Sequence, residues 1–174
     1  MELSFYVPSF RKTKRGRPQG MDGLNEIIRD ARCNRYAAAA RKHRIEAYVS
    51  RIAAEAADAS GWERPTGRCT VALEFREPDA RRDDDNVFAF AKYVLDAMCV
   101  PTESGRGTVH AEGAGIIEDD DPAHVRLVCT RGRIDRDNPG IQVTITEETN
   151  EEEWHGIRLH VPEEPARAES GLPE

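Results

Sequence analysis

Aromatic residues are scarce in this 174-residue chain, at 6% of the total, and no long apolar run occurs. Nothing approaches the roughly 20 consecutive apolar residues that span a bilayer, and the N-terminus has no apolar core of a secretory signal. These absences lead us to expect a soluble, cytoplasmic protein with a modest, aliphatic core and no membrane partner. Zinc-finger spacing is also missing: Cys33, Cys69, Cys99 and Cys129 are scattered with no C-x-x-C pair. They read as reduced, half-buried residues without a zinc or thiol role. None of the five histidines lies in an H-E-x-x-H motif.

Charge, by contrast, is abundant at 33% of residues, and it is polarised along a chain of net charge −7. Arg11, Lys12, Lys14, Arg15 and Arg17 open a basic first third that continues through Arg29, Arg32, Arg35, Arg41, Lys42, Arg44 and Arg51. Acidic residues dominate from Glu147 onward. The overall balance excludes a uniformly basic nucleic-acid binder but leaves room for a basic surface on an acidic protein.

The pattern predicts one α+β domain over 1–148 and an acidic, partly disordered tail over 149–174. A strand is expected over 2–8, and the Gly- and Pro-rich basic stretch 11–20 is expected to form a mobile loop without regular structure. Helical periodicity runs from Leu24 to Ala59, with Ile27, Ile28, Ala31, Tyr36, Ala40, Ile45, Tyr48, Val49 and Ile52 on the inward face. Cys69–Phe75, Val125–Cys129 and Ile141–Thr146 read as strands. A helix capped by Asp85 or Asn86 is expected to run to Met98, burying Phe88, Ala91, Leu95 and Met98. Residues 101–115 read as a surface loop, and Trp154–Val161 as a segment able to dock or add a last strand. The sheet order is not legible.

Two aspartate runs stand out: Asp83-Asp84-Asp85-Asn86 and Asp119-Asp120-Asp121. Two like charges 4 Å apart repel by about 4 kcal/mol at an effective dielectric of 20. Convergence of the runs therefore requires a cation or raised pKa values. In an extended segment Asp83 and Asp85 point one way and Asp84 the other. Oxygen-only ligands favour Mg²⁺ or Mn²⁺ over zinc. The plain alternative is solvated charge or helix capping. Lys92 falls on one helical stripe with Asp85, Ala89 and Asp96, which brings a cation to the same face; it also suits a simple i, i+4 bridge to Asp96.

The ordered set of D-x-D-N, a helical Lys followed by Asp-Ala, and an acidic run before a strand resembles the RusA family of Holliday-junction resolvases, in its phage and prophage version. Leu24–Arg29, Asn34–Ala37 and Asp137–Gly140 before the last strand add to the resemblance, which covers roughly residues 2–148. It implies a small mixed sheet packed by a long N-terminal helix and a catalytic-region helix. It also implies Mg²⁺-dependent (Mn²⁺ possible) hydrolysis of branched DNA by a symmetric homodimer. Carried over by position, the catalytic carboxylates and metal ligands are Asp83, Asp85 and Asp120, and the catalytic lysine is Lys92. The short members of the family place that lysine where this chain has Ala89. DNA contacts are expected from Arg11, Lys12, Lys14, Arg15, Arg17, Arg35, Arg41, Lys42, Arg81 and Arg82. Two other functions stay open on the same sequence: a non-catalytic DNA-binding protein, and an acidic interaction module working through its tail.

Overall fold

The computed structural model describes residues 1–104 and 107–148. The expected acidic tail and the Trp154–Val161 segment lie outside the described residues. The architecture is α+β. Strands β1 (Glu2–Pro8), β2 (Cys69–Arg76), β5 (Val125–Arg131) and β6 (Gly140–Glu147) form one sheet in the order β1-β6-β2-β5. The sheet is mixed, because β6 runs antiparallel to β1 and β2 while β5 runs parallel to β2.

Alternation makes one face of this sheet the core. Leu3, Ile145 and Val71 lie in register across three strands, as do Phe5, Val143 and Leu73, and then Val7, Ile141 and Phe75. All nine are buried. Each burial of such a side chain favours folding by about 1.5–3 kcal/mol, which is what fixes the pairing register. The edge strand β5 is the exception: Leu127 and Val128 remain exposed, and only Val125 is buried.

The helical stretch over 24–59, long enough to allow a break although no Pro or Gly marks one, is two helices, α1 (Leu24–Cys33) and α2 (Arg35–Ser60). Asn34 makes the break. Its backbone is extended, and its side-chain oxygen accepts hydrogen bonds from the Tyr36 and Ala37 amides at 3.0 and 3.1 Å, so it caps α2. The inward face is accordingly shorter than its periodicity suggests. Ile45, Val49, Ala53 and Ala57 pack onto the sheet, whereas no residue of α1 is buried and Tyr36 is 72% exposed. At the far end Gly61, with φ of 66°, closes α2 in the left-handed conformation.

Three further expectations are corrected. The basic stretch 11–20 has regular hydrogen bonding: Thr13 N–H donates to Arg17 O (2.8 Å), Gln19 N–H donates to Arg11 O (3.0 Å), and Lys12 bridges Pro18. The helix expected to reach Met98 is split into α3 (Asp84–Phe88) and α4 (Ala91–Asp96), and its N-cap is Asp83. Between them Phe90 is fully buried, and its amide bonds three residues back to Val87 O rather than four. The segment 101–115 holds a small hairpin, β3 (Thr102–Ser104) with β4 (Gly107–Val109).

Candidate functional site

The first aspartate run follows β2 and is pinned from both sides. Arg82 donates to Glu77 through Nε (2.9 Å) and to Met21 O (2.7 Å), and Arg131 of β5 donates to Asp84 (2.8 Å) and to Arg82 O. Asn86 Oδ1 accepts from the Asn25 amide at 3.3 Å, tying α3 to the start of α1. Asp84 therefore faces Arg131; because Asp84 and Asp85 already lie in α3, strand-like alternation does not set their directions. Asp83 and Asp85 are exposed at the head of α3 and form no ion pair among the described residues.

The second run precedes β5, and its members part ways. Asp121 accepts from the Ala123 and His124 amides and from the His124 ring at 2.8 Å. Those bonds hold its carboxyl below the usual range. Asp120 instead meets Lys92 of α4 in a close ion pair. Asp119 faces His110, with Nε2 to Oδ1 at 3.4 Å. Of the three aspartates, then, Asp120 is the one that reaches the candidate lysine.

Lys92 also pairs with Asp96 at 2.7 Å, so the i, i+4 bridge that the sequence allows is present alongside the Asp120 contact, which it does not announce. Asp96 is the centre of a network that the sequence did not reveal. It is 2% exposed, and it pairs with Lys42 of α2 at 3.0 Å and with His110 Nδ1 at 3.3 Å. Lys42 in turn pairs with Glu46 at 3.2 Å. Burial pushes the Asp96 carboxyl up, but the Lys92 and Lys42 ammonium groups outweigh it and hold the group below its ordinary value. Glu46 goes the other way: burial dominates, and its carboxyl is raised. Lys92 loses some basicity to burial, yet its bonds to Asp120 and Asp96 raise it overall.

His110 reaches this network because residues 113–117 run back along the end of α4. Ala114 donates to Ala97 O (2.9 Å), Gly115 to Cys99 O (3.0 Å) and Ile116 to Met98 O (2.9 Å). Gly113 is required there, since a Cβ at that position would lie 2.1 Å from Cys99 O. His110 itself sits at φ of 51°, a conformation uncommon outside glycine. The result is a group of Cys99, His110, Asp119 and Asp120 whose candidate ligand atoms all lie within 4.8 Å of one another. Asp83, Asp85 and Asp120 do not converge within that distance.

The expected DNA-contacting cations divide into two sets. Arg11 pairs with Asp22 (3.1 Å), Arg41 with Asp22 and Asp30 (2.6 Å each), Lys42 with Asp96, and Arg82 with Glu77, so these four hold the fold. Lys12, Lys14, Arg15, Arg17, Arg35 and Arg81 are exposed. Arg17, Arg81, Arg82 and Arg136 line a groove of about 720 Å³ beside the first aspartate run, with Glu77 and Asp79 on its wall. No helix among the described residues is long and apolar enough to cross a membrane. Known family models give no match to the chain, and a search of curated proteins finds no significantly similar sequence.

Proposed function

We propose that the chain is a structure-selective endodeoxyribonuclease that resolves Holliday junctions and related branched DNA, in the manner of the RusA family it resembles. The observation that carries this reading is the Lys92–Asp120 ion pair. It joins two members of the motif set that lie 28 residues apart in sequence, and it singles out Asp120 from its neighbours. In this reading Asp83 and Asp85 bind Mg²⁺ or Mn²⁺ with Asp120. Their exposed carboxylates, free of ion pairs among the described residues, suit a hard cation.

Asp83, Asp85 and Asp120 would hold the ion, which would supply water activation and offset charge developing at phosphorus. The chain's own part is to place the phosphate. Lys92 is held by Asp96 and Asp120, with an ammonium group available to the scissile phosphodiester. The exposed cations of the 12–17 loop, with Arg81, bind the DNA backbone. Such contacts carry affinity rather than sequence information. A two-fold substrate suits two copies of the chain, and α1, with no buried residue and with Leu24 and Ile28 exposed, offers an uncovered apolar face beside the exposed Tyr36 at the start of α2.

The test is nicking of a synthetic four-way junction in Mg²⁺. The reading expects symmetric nicks from the wild type and none from Asp85→Asn. A second reading, a non-catalytic DNA-binding protein on the same fold, is favoured by the separation of Asp83 and Asp85 from Asp120. It expects junction binding that survives neutralisation of both aspartates, with no cleavage in Mg²⁺ or Mn²⁺.

A further inference from the structure

We propose that Cys99, His110, Asp119 and Asp120 form a binding site for a transition-metal dication of borderline softness, for which zinc is the probe; it shares Asp120 with the hard-cation set but uses neither Asp83 nor Asp85. The four residues supply one sulfur, one nitrogen and two carboxylate donors within 4.8 Å of one another. In a tetrahedral zinc site, donor atoms at the usual bond lengths lie roughly 3.3–3.8 Å apart. A contraction of about 1 Å therefore closes the group around an ion. Sulfur and imidazole ligands select zinc or cobalt over magnesium.

His110 is already oriented for such a role. Its Nδ1 lies 3.3 Å from the buried carboxylate of Asp96, leaving Nε2 turned toward Asp119 at 3.4 Å. A carboxylate behind a ligating imidazole is the arrangement that fixes its tautomer and strengthens it as a ligand. Charge points the same way. Two ammonium groups, Lys42 and Lys92, face the carboxylates of Glu46, Asp96, Asp119 and Asp120 across one connected network. A dication corrects that imbalance. Lys92 need not leave, because its bond to Asp96 persists when Asp120 turns to the metal. The Cys99 thiol is buried and donates to Leu95 O at 3.2 Å, and burial and the nearby carboxylates push it well above its ordinary value. A bound dication would have to displace that proton, which a water shed by the incoming ion would carry away.

The experiment uses the full chain, stripped of metal and kept reduced, in the absence of DNA, so its outcome is independent of nuclease activity. Zinc is titrated by calorimetry and cobalt by absorption. One equivalent of zinc is expected per chain, with a sulfur-to-cobalt charge-transfer band in the wild type. Cys99→Ser removes the band, and Asp96→Asn weakens zinc binding by about 10–100-fold. Asp85→Asn binds zinc as the wild type does. A wild-type cobalt complex without the sulfur band overturns the proposal even if the variants fail to fold. So does a band that persists in Cys99→Ser, or zinc binding abolished by Asp85→Asn.

Discussion

Replacing Asp96 with asparagine keeps the side-chain volume and removes one buried charge from between Lys42, Lys92 and His110. Breaking a buried ion pair costs about 3–5 kcal/mol when the remaining charge stays buried. Here the orphaned groups are not trapped: Lys92 is 58% and Lys42 43% exposed, so each ammonium recovers water. Solvent screening therefore reduces the penalty to that of losing two partly exposed ion pairs, about 2 kcal/mol. For a chain of this size that loss lowers the Tm by roughly 4–8 °C. The pH dependence carries a sign. The Asp96 carboxyl is held below its ordinary value of 3.8. Its contribution is therefore present above that value and lost as pH falls through the depressed one. Thermal melts followed by circular dichroism should show a gap between Asp96→Asn and wild type at pH 7 that narrows in strong acid. Glu46, raised by burial, titrates in the opposite sense, which makes the gap between the two proteins the proper readout. A variant melting within about 1 °C of wild type at pH 7, or a gap that does not change with pH, would refute the reasoning.

The remaining predictions concern the backbone beside the site and the DNA surface. Gly113→Ala forces a Cβ to within 2.1 Å of Cys99 O. It should cost about 1–3 kcal/mol in thermal or urea melts, and an unchanged midpoint contradicts the close approach. Neutralising Arg15 and Arg17 together should weaken junction binding at low salt and make the log–log salt slope shallower by about 1.8, if each meets one phosphate. An unchanged slope places the DNA elsewhere.

Where the core alternates, the sequence is a good guide. β1, β2 and β6 lie where strands are expected, because each buries alternate residues in the core. Local competition accounts for the misplaced boundaries. Asn34 interrupts a helix without proline or glycine, because its side chain satisfies two amides that a continuing helix would bond internally. The break before α4 comes from burying Phe90, a tertiary demand with no local signature. The mixed strand order depends on long-range pairing and is equally invisible in a linear pattern.

Similar limits apply to the candidate site. Lys92 and the aspartate runs are legible as residue types at telling positions, and so is the i, i+4 bridge to Asp96; the Asp120 contact across 28 residues is not. Cys99 and His110 carry no sequence signal, because metal spacing rules look for ligands close in sequence. Here Gly113 and the bonds from Ala114, Gly115 and Ile116 bring residues 99, 110 and 119 together through tertiary structure. Lys42, Arg41 and Arg11 have the sequence character of DNA cations, yet buried carboxylates within reach claim them.

Cleavage of a synthetic four-way junction by the purified full chain in Mg²⁺, run beside Asp85→Asn, tests the central claim most directly. The account predicts paired, symmetric nicks from the wild type and intact junction from the variant, with binding retained by both. A wild type that binds the junction and leaves it whole in Mg²⁺ and in Mn²⁺, or a variant that cuts as well as wild type, would contradict it.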